Sequence, residues 1–80
     1  MIRVTYGNNA GRDVDFADKD TTIKAFLDAH DFDYTMGQMS VDGATLPAGG
    51  LTKSFAEMGY SDEEGKNTCY IMCLSKTVNA

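Results

Sequence analysis

The sequence predicts a small α+β domain in which one helix packs across one face of a β-sheet. Three observations support this fold class. Apolar residues recur at every second position in three stretches, recur at helical spacing in one stretch, and flank an Asp-Gly pair in another. The 80 residues suffice for one domain, and no repeat or linker divides them. We therefore expect a single domain over residues 1–76 and a loose tail over residues 77–80.

The composition disfavours several classes of partner. The net charge is −5, and the seven Lys and Arg residues are scattered along the chain. Phosphate binding needs clustered cations, so we expect no nucleic acid partner and no binding to an anionic membrane surface. No apolar run approaches the roughly 20 residues that a membrane-spanning helix requires. No secretory pattern is seen at the N-terminus, so a cytoplasmic location is expected. A monomer is expected by default.

The N-terminal segment predicts an antiparallel hairpin. Residues 2–6 (IRVTY) alternate between apolar and polar, which is typical of a strand. One face would carry Ile2, Val4 and Tyr6, and the other Arg3 and Thr5. Residues 7–11 (GNNAG) have turn composition, and residues 12–16 (RDVDF) alternate again, with Val14 and Phe16 on one face.

The main helix is predicted over residues 18–32, where the period changes. Four residues at i, i+3, i+4 and i+7 form one stripe: Ile23, Phe26, Leu27 and His30. Asp20 or a neighbouring threonine could cap its first free N–H groups. We expect about three turns, with His30 in the last turn, where the helix dipole favours an imidazolium.

Two further elements and a final strand follow the helix. Asp42-Gly43 within residues 39–46 predicts a hairpin with a two-residue turn. Residues 51–60 suggest a short helical turn capped by Thr52 and ended by Gly59, with Leu51, Phe55 and Met58 facing inward. Residues 68–76 (TCYIMCLSK) are apolar on both sides, which favours an interior strand. One side would carry Cys69, Ile71 and Cys73, and the other Tyr70, Met72 and Leu74.

This order of elements resembles the ubiquitin-like β-grasp family across nearly the whole chain. The matching stretches are TTIKAFLDAH, VDGATL, LTKSFAEMGY and NTCYIMCLSK. The resemblance implies a mixed sheet of four to five strands, with the last strand beside the first and the helix across one face. It also implies two sheet edges, one of them supplied by the hairpin over residues 39–46.

The resemblance further implies a non-conjugating member of the family. Modifiers and sulfur carriers of this family act through a C-terminal Gly-Gly, whereas the only diglycine here, Gly49-Gly50, lies in a predicted loop. The bacterial ubiquitin-like components of secretion machinery are of similar length and also lack the diglycine. A carrier or modifier that acts through an atypical C-terminus remains the alternative. Plant-type ferredoxins, another β-grasp branch, need four cysteine ligands, and two are present here.

The cysteines and acidic residues do not predict a metal, a cofactor or an enzyme. On a strand, Cys69 and Cys73 would lie about 13 Å apart, too far for a disulfide or for one zinc ion. Both are therefore expected in the core. His30 is the only histidine, and the aspartates lack the glycine and glutamate positions of an EF-hand loop. No nucleophile–base pair is evident, so we expect no catalytic residue.

The candidate site is the face of the sheet turned away from the helix. The expected binding residues on this face are Tyr70, Met72, Leu74, Arg3, Thr5 and Ser40. Aromatic, Met and Arg side chains are enriched in interfaces, and the ubiquitin family docks partners through the matching face. The predicted function is a non-enzymatic protein-interaction module. Two alternatives stay open: the apolar groups on a solvent-exposed sheet face have no function, as is common, or a register shifted by one residue exchanges the two faces.

Overall fold

The computed structural model describes residues 1–35 and 37–75. The predicted tail over residues 77–80, and Lys76 at the end of the predicted last strand, lie outside the described residues. In chain order the elements are β1 (Ile2–Asn8), β2 (Gly11–Ala17), α1 (Ile23–Ala29), β3 (Gly37–Val41), β4 (Ala44–Thr45) and β5 (Thr68–Ser75), with a 3₁₀ turn at Gly50–Thr52. The described chain is thus a small α+β domain, as predicted.

The strands form one mixed sheet in the order β2-β1-β5-β3-β4. Strand β5 lies between β1, to which it is parallel, and β3, to which it is antiparallel. Its register places Cys69 beside Val4 of β1, and Cys73 beside Met39 of β3. The prediction that the last strand is extended and central is confirmed.

The first hairpin is tighter than predicted. β1 continues to Asn8 and β2 starts at Gly11, so the turn contains only Asn9 and Ala10 rather than residues 7–11. The Asn8 carboxamide accepts a hydrogen bond from the Ala10 N–H at 2.8 Å, which satisfies a donor within the turn. The two-residue turn sets the register of the two strands, with Asn8 opposite Gly11 and Thr5 opposite Val14.

Helix α1 is shorter than the predicted helix over residues 18–32: it begins at Ile23 and ends at Ala29. Thr22 caps it, since its hydroxyl accepts from the Ala25 N–H at 3.1 Å; Asp20 does not cap it. Before it, residues 18–21 form a turn in which the Thr21 N–H donates to the Asp18 carbonyl, and Thr22 is extended. This stretch pairs with a distant segment. The Phe55 N–H donates to the Thr21 carbonyl and the Ile23 N–H donates to the Lys53 carbonyl. Those bonds hold Thr22 in its extended conformation, so the helix starts after it.

The segment before β5 forms consecutive turns, where one helical turn over residues 51–60 was expected. Ser54, rather than Thr52, is the cap: its hydroxyl accepts from the Glu57 N–H, and the Glu57 carboxylate accepts from the Ser54 N–H. Gly59, at φ +101°, ends the turn as predicted. The Tyr60 N–H then donates to the Phe55 carbonyl, which closes a Schellman motif.

The second hairpin confirms the Asp-Gly prediction. Asp42 and Gly43 have φ values of +51° and +85°, as a type I′ turn requires. The Asp42 carboxylate accepts hydrogen bonds from the Tyr70 N–H at 3.0 Å and from the Tyr60 hydroxyl. This carboxylate therefore ties the β3–β4 turn to the central strand.

The core lies between the sheet and α1. Its buried apolar members are Ile2, Val4, Ala17, Ile23, Phe26, Leu27, Met39, Val41, Phe55, Cys69, Ile71 and Cys73. The side chains of Cys69 and Ile71 are fully buried, so the odd-numbered side of β5 faces the helix, as predicted. Within residues 1–35 and 37–75, no helix has the length and apolar character needed to cross a bilayer.

Candidate functional site: the outer face of the sheet

The six predicted interface residues lie together on the face of the sheet opposite α1, which we call the outer face. They come from three adjacent strands: Arg3 and Thr5 from β1, Tyr70, Met72 and Leu74 from β5, and Ser40 from β3. Thr5 lies beside Tyr70, and Ser40 lies beside Met72. The register is therefore the one that was expected, and the alternative in which the two faces are exchanged is excluded.

The edge strand β2 adds two apolar side chains that the sequence analysis did not assign to the outer face. Val14 is 46% exposed and Phe16 is 56% exposed. They lie opposite Thr5 and Arg3 of β1, and they share the outward direction of those residues. A two-residue turn at Asn9-Ala10 would have indicated this, because it makes every outward residue of β1 face an outward residue of β2.

A shallow groove of about 520 Å³ runs along the outer face between β5 and the second hairpin. Its lining consists of Gln38, Ser40, Gly43, Thr45, Tyr70, Met72 and Leu74. Leu74, at its end, is 47% exposed. The groove thus has an apolar wall from β5 and a wall of uncharged polar side chains from β3 and β4.

Arg12 lies across the outer face and reaches the central strand. Its guanidinium carbon is 5.6 Å from the centroid of the Tyr70 ring, which is a cation–π distance. The arginine stem passes over Gly7: a Cβ built there would lie 2.7 Å from Arg12 Cγ and 2.4 Å from the Gly11 carbonyl oxygen. The absence of a side chain at Gly7 is what allows Arg12 to lie against Tyr70.

The outer face differs in charge from the rest of the protein. Its outward strand positions are residues 12, 14 and 16 of β2, 3, 5 and 7 of β1, 68, 70, 72 and 74 of β5, 38 and 40 of β3, and 45 of β4. These positions carry Arg3 and Arg12 and none of the twelve Asp and Glu residues of the chain. A local positive charge therefore lies on a protein whose net charge is −5.

On the opposite side of β2, Asp15 binds His30, a partner that the sequence did not reveal. His30 Nε2 lies 2.6 Å from the Asp15 carboxylate, and Nδ1 lies 2.7 Å from the Phe26 carbonyl oxygen. Both of these groups accept hydrogen bonds, so the two ring nitrogens satisfy them together only as an imidazolium. The hydrogen bonds to Asp15 and Phe26 raise the pKa of His30, and the bond from His30 lowers the pKa of Asp15. The ring also covers the core edge beside Tyr6, as expected of a histidine at this helix end.

The His30–Asp15 pair predicts that stability falls between pH 5.5 and 7.5. The pKa of His30 is raised on folding, so its contribution is complete below the unfolded value of about 6.5 and is lost as the pH rises through the folded value. Asp15 acts in the other direction and loses its contribution only under acid conditions. Urea unfolding at the two pH values measures the decline. Roughly a tenth of each thiol is ionised in the unfolded chain at pH 7.5, a small contribution that a His30 variant shares. In His30→Gln the decline should disappear; an equal decline in that variant would contradict the prediction.

The two cysteines are buried in the core, and their thiols are protonated and shielded from reagents. Burial raises the pKa of Cys69 to about 12, and burial also raises the pKa of Cys73. The Cys69 thiol lies beside the hydroxyl of the partly buried Tyr60, whose pKa is raised by desolvation and by its hydrogen bond to Asp42. Both cysteines are free. Within the described ranges, no group of three or more His, Cys, Asp and Glu side chains converges as metal ligands would.

We expect both thiols to resist labelling in the folded protein. A pKa of about 12 leaves roughly one Cys69 in ten thousand ionised at pH 8, and the thiolate is the reactive form. With a thiol-specific disulfide reagent, the folded chain should react at the rate at which it opens, and the urea-unfolded chain should react at once. Equal rates in the two states would show that the thiols are accessible.

Comparisons with protein-family models, with curated proteins and with solved structures return no match for this chain. The features available for a functional proposal are therefore the geometry and charge of the outer face described above.

Proposed function

We propose that this chain is a small, non-enzymatic protein-interaction module of the ubiquitin-like β-grasp type, and that it binds a partner protein through the outer face. The sheet order β2-β1-β5-β3-β4 supports the fold assignment. So does the position of helix α1, which follows the first hairpin and packs on one side of the sheet.

One observation carries the functional part of the proposal: exposed apolar side chains extend over the outer face from the β2 edge to the end of β5. Val14, Phe16 and Leu74 are each about half exposed, and Tyr70 and Met72 lie between them, partly buried. Removing such surface from water is favourable by roughly 25 cal/mol per Å², so a partner that covers it gains affinity. Aromatic, Met and Arg side chains are also the types enriched in interfaces.

The proposal predicts that Tyr70→Ser combined with Met72→Ser abolishes partner binding while the domain stays folded. Both side chains point away from the core, so the folded state should persist, as thermal unfolding would show. The measurement is recovery of interacting proteins from a lysate of the native host by the tagged chain. The control is Ala25→Ser combined with Ala29→Ser, two exposed positions on α1, on the other side of the sheet. If the outer-face variant recovers the same proteins as the wild type, the site assignment is wrong.

A further inference from the structure

We infer that the outer face recognises an acidic segment of a partner protein, in which carboxylates alternate with apolar side chains. This inference rests on the proposed function and adds to it the chemistry of the partner. It follows from the distribution of charge over the sheet, from the state of the two arginines and from the apolar groups between them.

Both charges on the outer face are positive and lack a carboxylate partner. Neither Arg3 nor Arg12 forms an ion pair with any residue in the described ranges, and both side chains are exposed. The carboxylates of β2 do not compensate them: Asp13 and Asp15 lie at the alternate, inward positions, and Asp15 is already bound to His30. Carboxylates of a partner could therefore form ion pairs with two arginines that have no ion-pair partner within the described ranges of the domain.

Arg12 is already held in position before a partner binds. Its guanidinium lies over the Tyr70 ring at a cation–π distance and its stem crosses Gly7, so less side-chain freedom is lost when it binds. A cation–π contact uses none of the guanidinium N–H donors, and these match a carboxylate in a two-bond arrangement. Because Tyr70 also lines the groove, a carboxylate on Arg12 would place neighbouring apolar side chains beside Met72 and Leu74.

The charge on the outer face disfavours a second copy of the chain and a nucleic acid as the occupant. Two outer faces stacked about a two-fold axis would each present Arg3 and Arg12 and no outward carboxylate, so like charges would approach one another. A nucleic acid would meet two cations on the outer face and, around them, a protein with twelve carboxylates. An acidic, partly apolar polypeptide is complementary to the outer face both in charge and in apolar surface.

The experiment selects binders from a displayed library of random 15-residue peptides, using the full chain as bait. We expect the recovered sequences to be net acidic and to contain aromatic or aliphatic residues. Amide chemical shifts of the labelled protein should move on β5 and β2 when a synthetic binder is added. Replacing its Glu and Asp by Gln and Asn should weaken binding about tenfold or more, because at least two ion pairs are lost.

A charge exchange tests the arginines directly. Arg3→Glu combined with Arg12→Glu should lose the acidic peptide and should bind the same peptide with Lys in place of its acids. Lys19→Glu combined with Lys53→Glu changes the net charge by the same amount on segments that contact the helix side, and it should keep the wild-type preference. If the charge of the peptide makes no difference at the outer face, the inference is wrong and the proposed function stands. If the peptides bind equally well to Tyr70→Ser/Met72→Ser, the proposed function itself fails.

Three other results would also overturn the inference. They are failure to recover any acidic binder, self-association of the chain that requires Tyr70 and Met72, and tighter binding of a single-stranded oligonucleotide than of the acidic peptide. Sedimentation of the chain over a range of concentrations and an oligonucleotide titration measure the last two.

Discussion

Replacing Phe55 by alanine should lower the free energy of unfolding by about 3–5 kcal/mol. This is a large share of the stability expected of an 80-residue domain, which is about 4–12 kcal/mol. The Phe55 ring is fully buried and makes edge-to-face contacts with Phe26 and Tyr60, at centroid distances of 5.9 and 6.4 Å. The backbone around Phe55 also forms hydrogen bonds with the residues that precede α1. The cavity would therefore weaken the packing of this segment and the start of the helix.

The matched control is Phe16→Ala, the same chemical change at an exposed position of the outer face. Phe16 is 56% exposed, so its loss should cost less than about 1 kcal/mol. Urea unfolding monitored by circular dichroism gives both values. Similar losses in the two variants would mean that Phe55 is not at the centre of the core.

Ile71→Ala is the second substitution with a large expected effect, a loss of about 2–5 kcal/mol. Ile71 is fully buried in the central strand, between Tyr6 of β1 and Val41 of β3. A truncation there leaves a cavity that both neighbouring strands border, and the sheet cannot collapse into it without changing its pairing.

The adjacent variant Met72→Ala tests the orientation of β5. Met72 is only partly buried and lies on the outer face, so its truncation should cost about 1 kcal/mol or less. Denaturant unfolding of the pair, with the partner-binding assay on both, separates the two sides of one strand. We expect Ile71→Ala to lose stability and Met72→Ala to lose binding. The reverse assignment would mean that the strand faces the other way and that the proposed interface is the core side.

Much of the architecture could be predicted because it depends on local periodicity. Alternation identified β1, β2 and β5, and the pair Asp42-Gly43 identified the second hairpin, since few residues adopt the positive φ values that its turn requires. The apolar residues on both sides of β5 indicated a central strand, and the register bears this out.

The errors at element ends have a different origin. Helix α1 starts at Ile23 because Thr21 and Lys19 bond to the backbone of Phe55 and Ala56, more than thirty residues later. No local pattern near residue 20 contains that information. The cap at Ser54 was missed for a simpler reason: Thr52 and Ser54 are both good caps, and Glu57 selects Ser54 through the reciprocal hydrogen bond.

The sequence by itself determined the strand and helix periods, the turn at Asp42-Gly43 and the burial of Cys69 and Cys73. Each of these follows from the dihedral preferences and polarity of neighbouring residues, which act before any distant contact forms. Only the tertiary structure decided that Phe16 and Arg12 join the outer face, that Arg12 lies on Tyr70, and that Asp15 binds His30. These features require strands and a helix that are remote in the chain to pack in one register. The free energy of that packing comes from contacts between two segments, so neither segment's own sequence reveals it.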